Sequence, residues 1–133
     1  MNTTPTMRTP LARVRGMGSA KSGTAHFWHQ RLTGLANCVL AIGLVVIVLT
    51  LIGKPYAEAI TFLSQTLVSL ILLAGVISAA IHMRIGMQVI IEDYVHGEGL
   101  KFLALLANNF FALAVALCAI YAILKFGVAR LLT

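Results

Sequence analysis

The sequence predicts an all-α integral membrane protein with three transmembrane helices, and two observations carry that prediction. Of its 133 residues, 59% are hydrophobic and only 11% are charged. A soluble domain with that balance would expose large apolar patches to water. Three apolar stretches, 32–52, 60–91 and 102–124, also reach the length of about 20 residues that a bilayer-crossing helix needs. The first and third carry no formal charge, and the second meets its first only at Arg84. Together they form one three-helix transmembrane domain, residues 25–133, behind an N-terminal segment, residues 1–24.

The N-terminal segment is rich in Thr, Arg, Gly and Ser and contains Pro5 and Pro10, so residues 1–22 are expected to be irregular. The stretch AHFWHQR follows at 25–31, with Phe27 and Trp28 suited to the headgroup layer. Arg8, Arg13, Arg15, Lys21 and Arg31 all precede the first span, and residues 1–31 contain no acid. The net charge of +6 is thus a topological signal and implies no nucleic-acid partner. By the positive-inside rule the N-terminus is cytoplasmic, the 92–101 loop lies inside, and the 54–58 loop and C-terminus lie outside. Lys54, Lys125 and Arg130 on the outer side make the bias incomplete.

A secretory signal peptide does not fit, because the apolar run begins late and is too long. An acid-free, Arg-rich leader is also the composition of a mitochondrial presequence. A cleaved leader would be missing, however, so a chain that keeps Met1 favours the bacterial inner membrane over the mitochondrial one.

Gly53-Lys54-Pro55 is expected to end the first span, and Gly97 and Gly99 to turn the chain between the second and third. The second span is oversized. As one helix, the 32 residues from Ile60 to Ile91 would be about 48 Å long at 1.5 Å per residue, against a hydrocarbon core of about 30 Å. The expectation is a strong tilt or a cytoplasmic projection that offers a partner a docking surface. Cys38 and Cys118 each fall inside a span and read as small apolar residues, with no disulfide or thiolate metal site implied.

The chemistry gathers in HMRIGMQVIIEDYVHGEG, residues 82–99. His82 stands nine residues before Ile91, roughly 13 Å inside the end of the span. An ionisable group at that depth is costly and marks a site; the plainer reading is a histidine bonded to a neighbouring helix. Gly75, Ser78, Ala79 and Gly86 share its stripe at −7, −4, −3 and +4. Small residues let another helix approach and equally leave room for a flat macrocycle beside an axial imidazole. His82 is the only histidine inside a span, so a bis-histidine haem would take its second ligand from another chain.

Asp93 follows His82 by eleven residues, an offset of about 20° around a helix and roughly 16 Å along it. With Tyr94 it forms an acid–phenol pair at the membrane edge. A phenol there can hydrogen-bond a quinone carbonyl and a carboxylate can relay protons; taken alone, both also read as ordinary interfacial residues. Arg84 faces away from His82 and either snorkels to the headgroups or pairs with a haem propionate. His26, His29 and Arg31 sit at the same inner interface, as headgroup-binding residues or as neighbours of a propionate or quinone.

The pattern His82-x-x-Ile85-Gly86-Met87 with Asp93-Tyr94 at +11 and +12 resembles the small hydrophobic membrane anchor of succinate dehydrogenase (respiratory complex II). The run from Gly16 to Thr24, then His26-Phe27-Trp28 and Gln30-Arg31, is similar to the start of alphaproteobacterial members. The resemblance covers about residues 13–100.

That resemblance implies that His82 is one axial ligand of haem b, with the other on a companion cytochrome b anchor subunit. It implies that Tyr94 hydrogen-bonds ubiquinone with Asp93 beside it and, more loosely, that Arg31 and His26 lie near the propionates and quinone pocket. Arg84 and His96 are given no transferred role beyond a propionate or quinone-site contact. Succinate oxidation would belong to flavoprotein and iron–sulfur partners at the cytoplasmic face, since nothing in this chain reads as a flavin or cluster site and no catalytic residue is assigned. The alternatives are the anchor of a fumarate reductase or another haem-b quinone oxidoreductase, and a cofactor-free transport or assembly protein. A diheme anchor would need several intramembrane histidines in one chain.

Overall fold

The structure, a computed structural model, describes residues 9–15 and 23–131. The described residues are helical with no strand: α1 (Pro10–Val14), α2 (Gly23–Leu51), α3 (Tyr56–Leu63), α4 (Thr66–Tyr94) and α5 (Glu98–Leu131). The short α1 stands where irregular chain was expected. The Gly16–Ser22 part of the N-terminal motif lies outside the described residues.

Three of these helices are long and apolar enough to cross a membrane, over Thr24–Leu51, Thr66–Tyr94 and Glu98–Val128. Their residues are barely buried against one another, and no large side chain among those described is fully enclosed. The apolar surface is therefore turned outward, which is tolerable only where lipid or another apolar chain is the solvent.

α4 is the middle helix, packing on α2 along one side and on α5 along the other. Both pairings are antiparallel, as the residues in contact establish. Across α2 and α4, Thr33 lies opposite His82, Gln30 opposite Gly86 and Gly43 opposite Ile71. Across α4 and α5, Arg84 lies opposite Asn108 and Asn109, and Glu92 opposite Lys101. One end of the bundle thus collects the start of α2, the end of α4 and the start of α5.

The first turn falls where the sequence puts it. α2 stops at Leu51, Gly53 adopts φ 77°, and Lys54 N–H closes on the Leu51 carbonyl at 3.1 Å. A side chain at that φ would be strained, so glycine is required there. Pro55, extended at φ −64° and ψ 156°, then opens α3. At the other end α4 finishes at Tyr94 and α5 begins at Glu98. The turn is therefore 95–97, and Gly99 already lies in the helix.

The second span departs from the expectation of one long helix. The 60–91 stretch breaks at Ser64–Gln65, where Gln65 is extended (φ −63°, ψ 136°) and starts α4 anew. No proline or glycine causes it. Instead Ser64 Oγ donates to the Thr61 carbonyl at 2.8 Å, and Ser69 Oγ donates to the Leu63 carbonyl at 3.0 Å. Hydroxyls that replace lost helical partners make a break tolerable inside an apolar segment. The excess length is accommodated by this bend, leaving α4 at 29 residues.

Candidate functional site

His82 lies within α4 on the side packed against α2. Its Nδ1 is 3.1 Å from Thr33 Oγ1. The imidazole comes that close because residue 34 is glycine: a Cβ there would stand 3.3 Å from His82 Cε1. One turn earlier, Ser78 Oγ donates to the Thr33 carbonyl at 3.3 Å, so α4 grips the same residue of α2 at two levels. His82 Nε2 has no hydrogen-bond partner among the described residues.

The small stripe predicted around His82 divides in two. Gly86 meets the Gln30 side chain, where a Cβ would lie 3.3 Å from its nitrogen, so this end is a helix contact. Gly75 has nothing within 4 Å of its missing side chain. With Ala79 it borders an apolar cleft between α2 and α4 of about 380 Å³, closed on the α2 side by Asn37, Leu40, Ala41 and Leu44. The stripe therefore both packs a helix and leaves open volume.

Asp93 and Tyr94 occupy the last two positions of α4, roughly 16–18 Å along the axis from His82, and both are exposed. Their neighbours are tied down. Gln88 donates to Glu92 Oε1 at 2.8 Å, and Lys101 Nζ donates to the Glu92 carbonyl at 2.8 Å, fastening α5 to the end of α4. Among the acids here Glu92 is engaged, while Asp93 is left facing outward.

Arg31 and His26 are exposed on the first turns of α2, at the same end of the bundle as Tyr94. The Arg31 guanidinium carbon stacks 4.1 Å above the Phe27 ring, and Phe27 meets Trp28 edge-on at 5.9 Å. Stacking of this kind holds a cation beside an aromatic surface.

Arg84 is on the opposite side of α4. Its Nε donates to Asn109 Oδ1, and Asn108 Nδ2 donates to the Arg84 carbonyl at 2.9 Å. The charge in the middle span is thus received by α5, and the chain's own fold does not bring it to His82. Cys38 and Cys118 are free thiols.

Two polar residues that the sequence gives no role of their own are engaged in the α2–α4 contact. Thr33 was unremarkable inside an apolar run, yet it is the group that His82 touches. Gln30 has its Oε1 buried with no partner among the described residues. The available signal was that each lies within one turn of Gly34, where α2 can approach a neighbour.

The family model described as succinate dehydrogenase/fumarate reductase transmembrane subunit matches residues 5–116. The succinate dehydrogenase hydrophobic membrane anchor subunit of Paracoccus denitrificans is 29% identical over 119 residues, covering 90% of this chain and 92% of that one. The protein of the same description from Rickettsia bellii is 28% identical, covering 90% of this chain and 96% of that one. The succinate dehydrogenase membrane anchor subunit of Reclinomonas americana is 28% identical over 71% of this chain and 82% of its own. No solved structure matches the chain. With three apolar helices of spanning length and a family match over most of its residues, this multi-pass membrane protein belongs to the transmembrane subunits of succinate dehydrogenase and fumarate reductase.

Proposed function

We propose that the chain is the hydrophobic membrane anchor of a succinate:ubiquinone oxidoreductase, supplying one axial ligand to haem b and part of the ubiquinone-reducing pocket. The observation that carries the haem assignment is the state of His82. It is an imidazole inside a span, held through Nδ1 by Thr33, with Nε2 free of any hydrogen bond among the described residues. Metal-bound histidines are usually oriented in this way, through the nitrogen that does not bind the metal. A single imidazole inside a span, with one ring nitrogen free, fits a haem that takes one ligand here and one from a companion subunit. When bound, the haem supplies a one-electron redox centre within the membrane.

The remaining roles belong to the end of the bundle where α2 starts and α4 finishes. Tyr94 donates its phenol proton to a quinone carbonyl, and Asp93 beside it accepts and returns protons from the aqueous side. Arg31 and His26 border the same pocket and the propionates. Arg84, bonded to Asn109, joins α4 to α5 and remains a contact for a propionate or the quinone pocket. This end faces the cytoplasm of a bacterial cell, with the C-terminus periplasmic. The flavoprotein and iron–sulfur subunits dock there, so electrons and protons reach the quinone from one side.

The test is purification of the complex in mild detergent, with its subunits identified and its reduced-minus-oxidised spectrum recorded. Co-purifying flavoprotein, iron–sulfur and companion anchor subunits with a b-type haem are expected. A complex without the haem removes the cytochrome role and leaves only an anchor. His82→Leu is expected to lose or loosen the haem while the helices stay inserted.

A further inference from the structure

The hydroxyl of Thr33 has one proton to give, and its surroundings determine where that proton goes. Thr33 Oγ1 lies 2.7 Å from the His29 carbonyl and 3.3 Å from the Gln30 carbonyl. Both are acceptors only, so the threonine proton is committed to its own helix. The remaining contact of Oγ1, with His82 Nδ1 at 3.1 Å, must then run the other way. Nδ1 carries the proton and donates, and Thr33 accepts. A neutral imidazole protonated at Nδ1 has its lone pair on Nε2.

We propose that Thr33 is a positioning residue for His82, holding it in the Nδ1–H tautomer with Nε2 presented to the iron and strengthening the imidazole as a ligand. This rests on the reading of His82 as a haem ligand. Two features make the hydroxyl a fixed acceptor. Ser78, one turn before His82, donates to the carbonyl of the same threonine, so Thr33 and His82 keep their register. Gly34 beside it leaves the space that the imidazole edge fills. A hydrogen bond from Nδ1–H to an acceptor raises the electron-donating power of the other nitrogen, and outer partners of this kind are worth roughly 10–100-fold in metal affinity. A stronger donor favours the ferric state, so removing the acceptor raises the haem midpoint potential.

The experiment uses the whole complex carrying Thr33→Val, Thr33→Ser or His82→Leu, with haem content, redox titration and the rate of haem loss in detergent as readouts. Thr33→Val keeps nearly the same shape without the hydroxyl. It is expected to retain haem at a more positive potential and to lose it roughly 10–100-fold faster. Thr33→Ser restores the acceptor and is expected to match the wild type. The proposal is overturned if Thr33→Val has wild-type potential and haem retention in a preparation series where His82→Leu loses its haem. It is also overturned if Thr33→Ser shifts as far as Thr33→Val, because the hydroxyl is then irrelevant. Should Thr33→Val not assemble, Thr33→Ala deletes the same acceptor without adding bulk and is read by the same criteria. Haem retained with an unaltered spectrum in His82→Leu overturns the ligand reading itself, a different failure from that of Thr33.

Discussion

Asn108 reaches across from α5 to donate to the backbone carbonyl of Arg84, a 2.9 Å bond made by one of the few buried polar side chains among the described residues. The next residue, Asn109, accepts from the Arg84 side chain. Two adjacent asparagines in an otherwise apolar span thus serve the backbone and the side chain of one arginine. Interhelical hydrogen bonds in a bilayer contribute about 0.6 kcal/mol on average and up to about 1.7. Asn108→Leu is expected to destabilise the α4–α5 pairing by about that amount, read as a lower midpoint in thermal or denaturant unfolding of the detergent-solubilised complex. Asn109→Leu leaves an arginine charge with one partner fewer and is expected to cost at least as much. Equal stability of all three proteins would show that the helices are held by packing alone.

Gly34 and Gly127 make a matched pair. A methyl at Gly34 would stand 3.3 Å from His82 Cε1 and 3.7 Å from Nδ1, so the imidazole has to move aside by a few tenths of an ångström. A methyl at Gly127, in α5, meets nothing within 4 Å. Alanine is also the better helix former by roughly 1 kcal/mol. Gly127→Ala is therefore expected to leave the haem spectrum unchanged at equal or higher stability, whereas Gly34→Ala shifts the spectrum or lowers haem content. Both are read by difference spectroscopy on the purified complex, and an unshifted Gly34→Ala spectrum would separate the haem from His82.

Much of this architecture is legible in the sequence because lipid imposes a simple rule: an apolar run of sufficient length must be a helix. The turn at Gly53 and Pro55 is legible for the same kind of reason, since each residue has a backbone preference that hardly depends on its surroundings. The break at Ser64 is not. Serine and threonine do not stop a helix by themselves, and whether their hydroxyls bond within the turn or to a freed carbonyl is decided by tertiary geometry. The same holds for His82. Its depth and its stripe of small neighbours follow from counting, but the identity of its partner depends on the α2–α4 register, which no periodicity within one helix contains. Arg84 could be assigned to the far face by counting, while Asn109 as its partner required the fold.

The break makes its own prediction. With α3 ended at Leu63, the carbonyl of that residue is served by Ser69 Oγ at 3.0 Å. Ser69→Ala leaves this part-buried acceptor without its partner, at a cost of about 1–3 kcal/mol. The expected result is lower stability with haem and quinone reduction intact, since Ser69 lies at the opposite end of α4 from Tyr94. Unchanged stability would mean that residues 60–69 simply close into continuous helix, which hydrogen exchange at the Gln65–Val68 amides would detect as increased protection.

Tyr94 offers the most direct test of the quinone assignment, because its exposed phenol is at the end of α4 and touches none of the groups around His82. Tyr94→Phe removes one hydroxyl and nothing else. If the phenol donates to the quinone, the loss of a neutral hydrogen bond of about 1 kcal/mol translates into a fall of roughly fivefold in kcat/KM for ubiquinone. Asp93→Asn abolishes proton transfer at its carboxylate and is expected to cost more, about 10²-fold or above. Succinate oxidation with a soluble dye as electron acceptor bypasses the membrane site and is expected to stay at the wild-type rate in both variants, as is the haem spectrum. The ratio of the two activities thus separates a damaged quinone site from a damaged complex. A Tyr94→Phe complex that reduces ubiquinone at the wild-type rate would remove the phenol from the pocket and leave Asp93 to be tested alone.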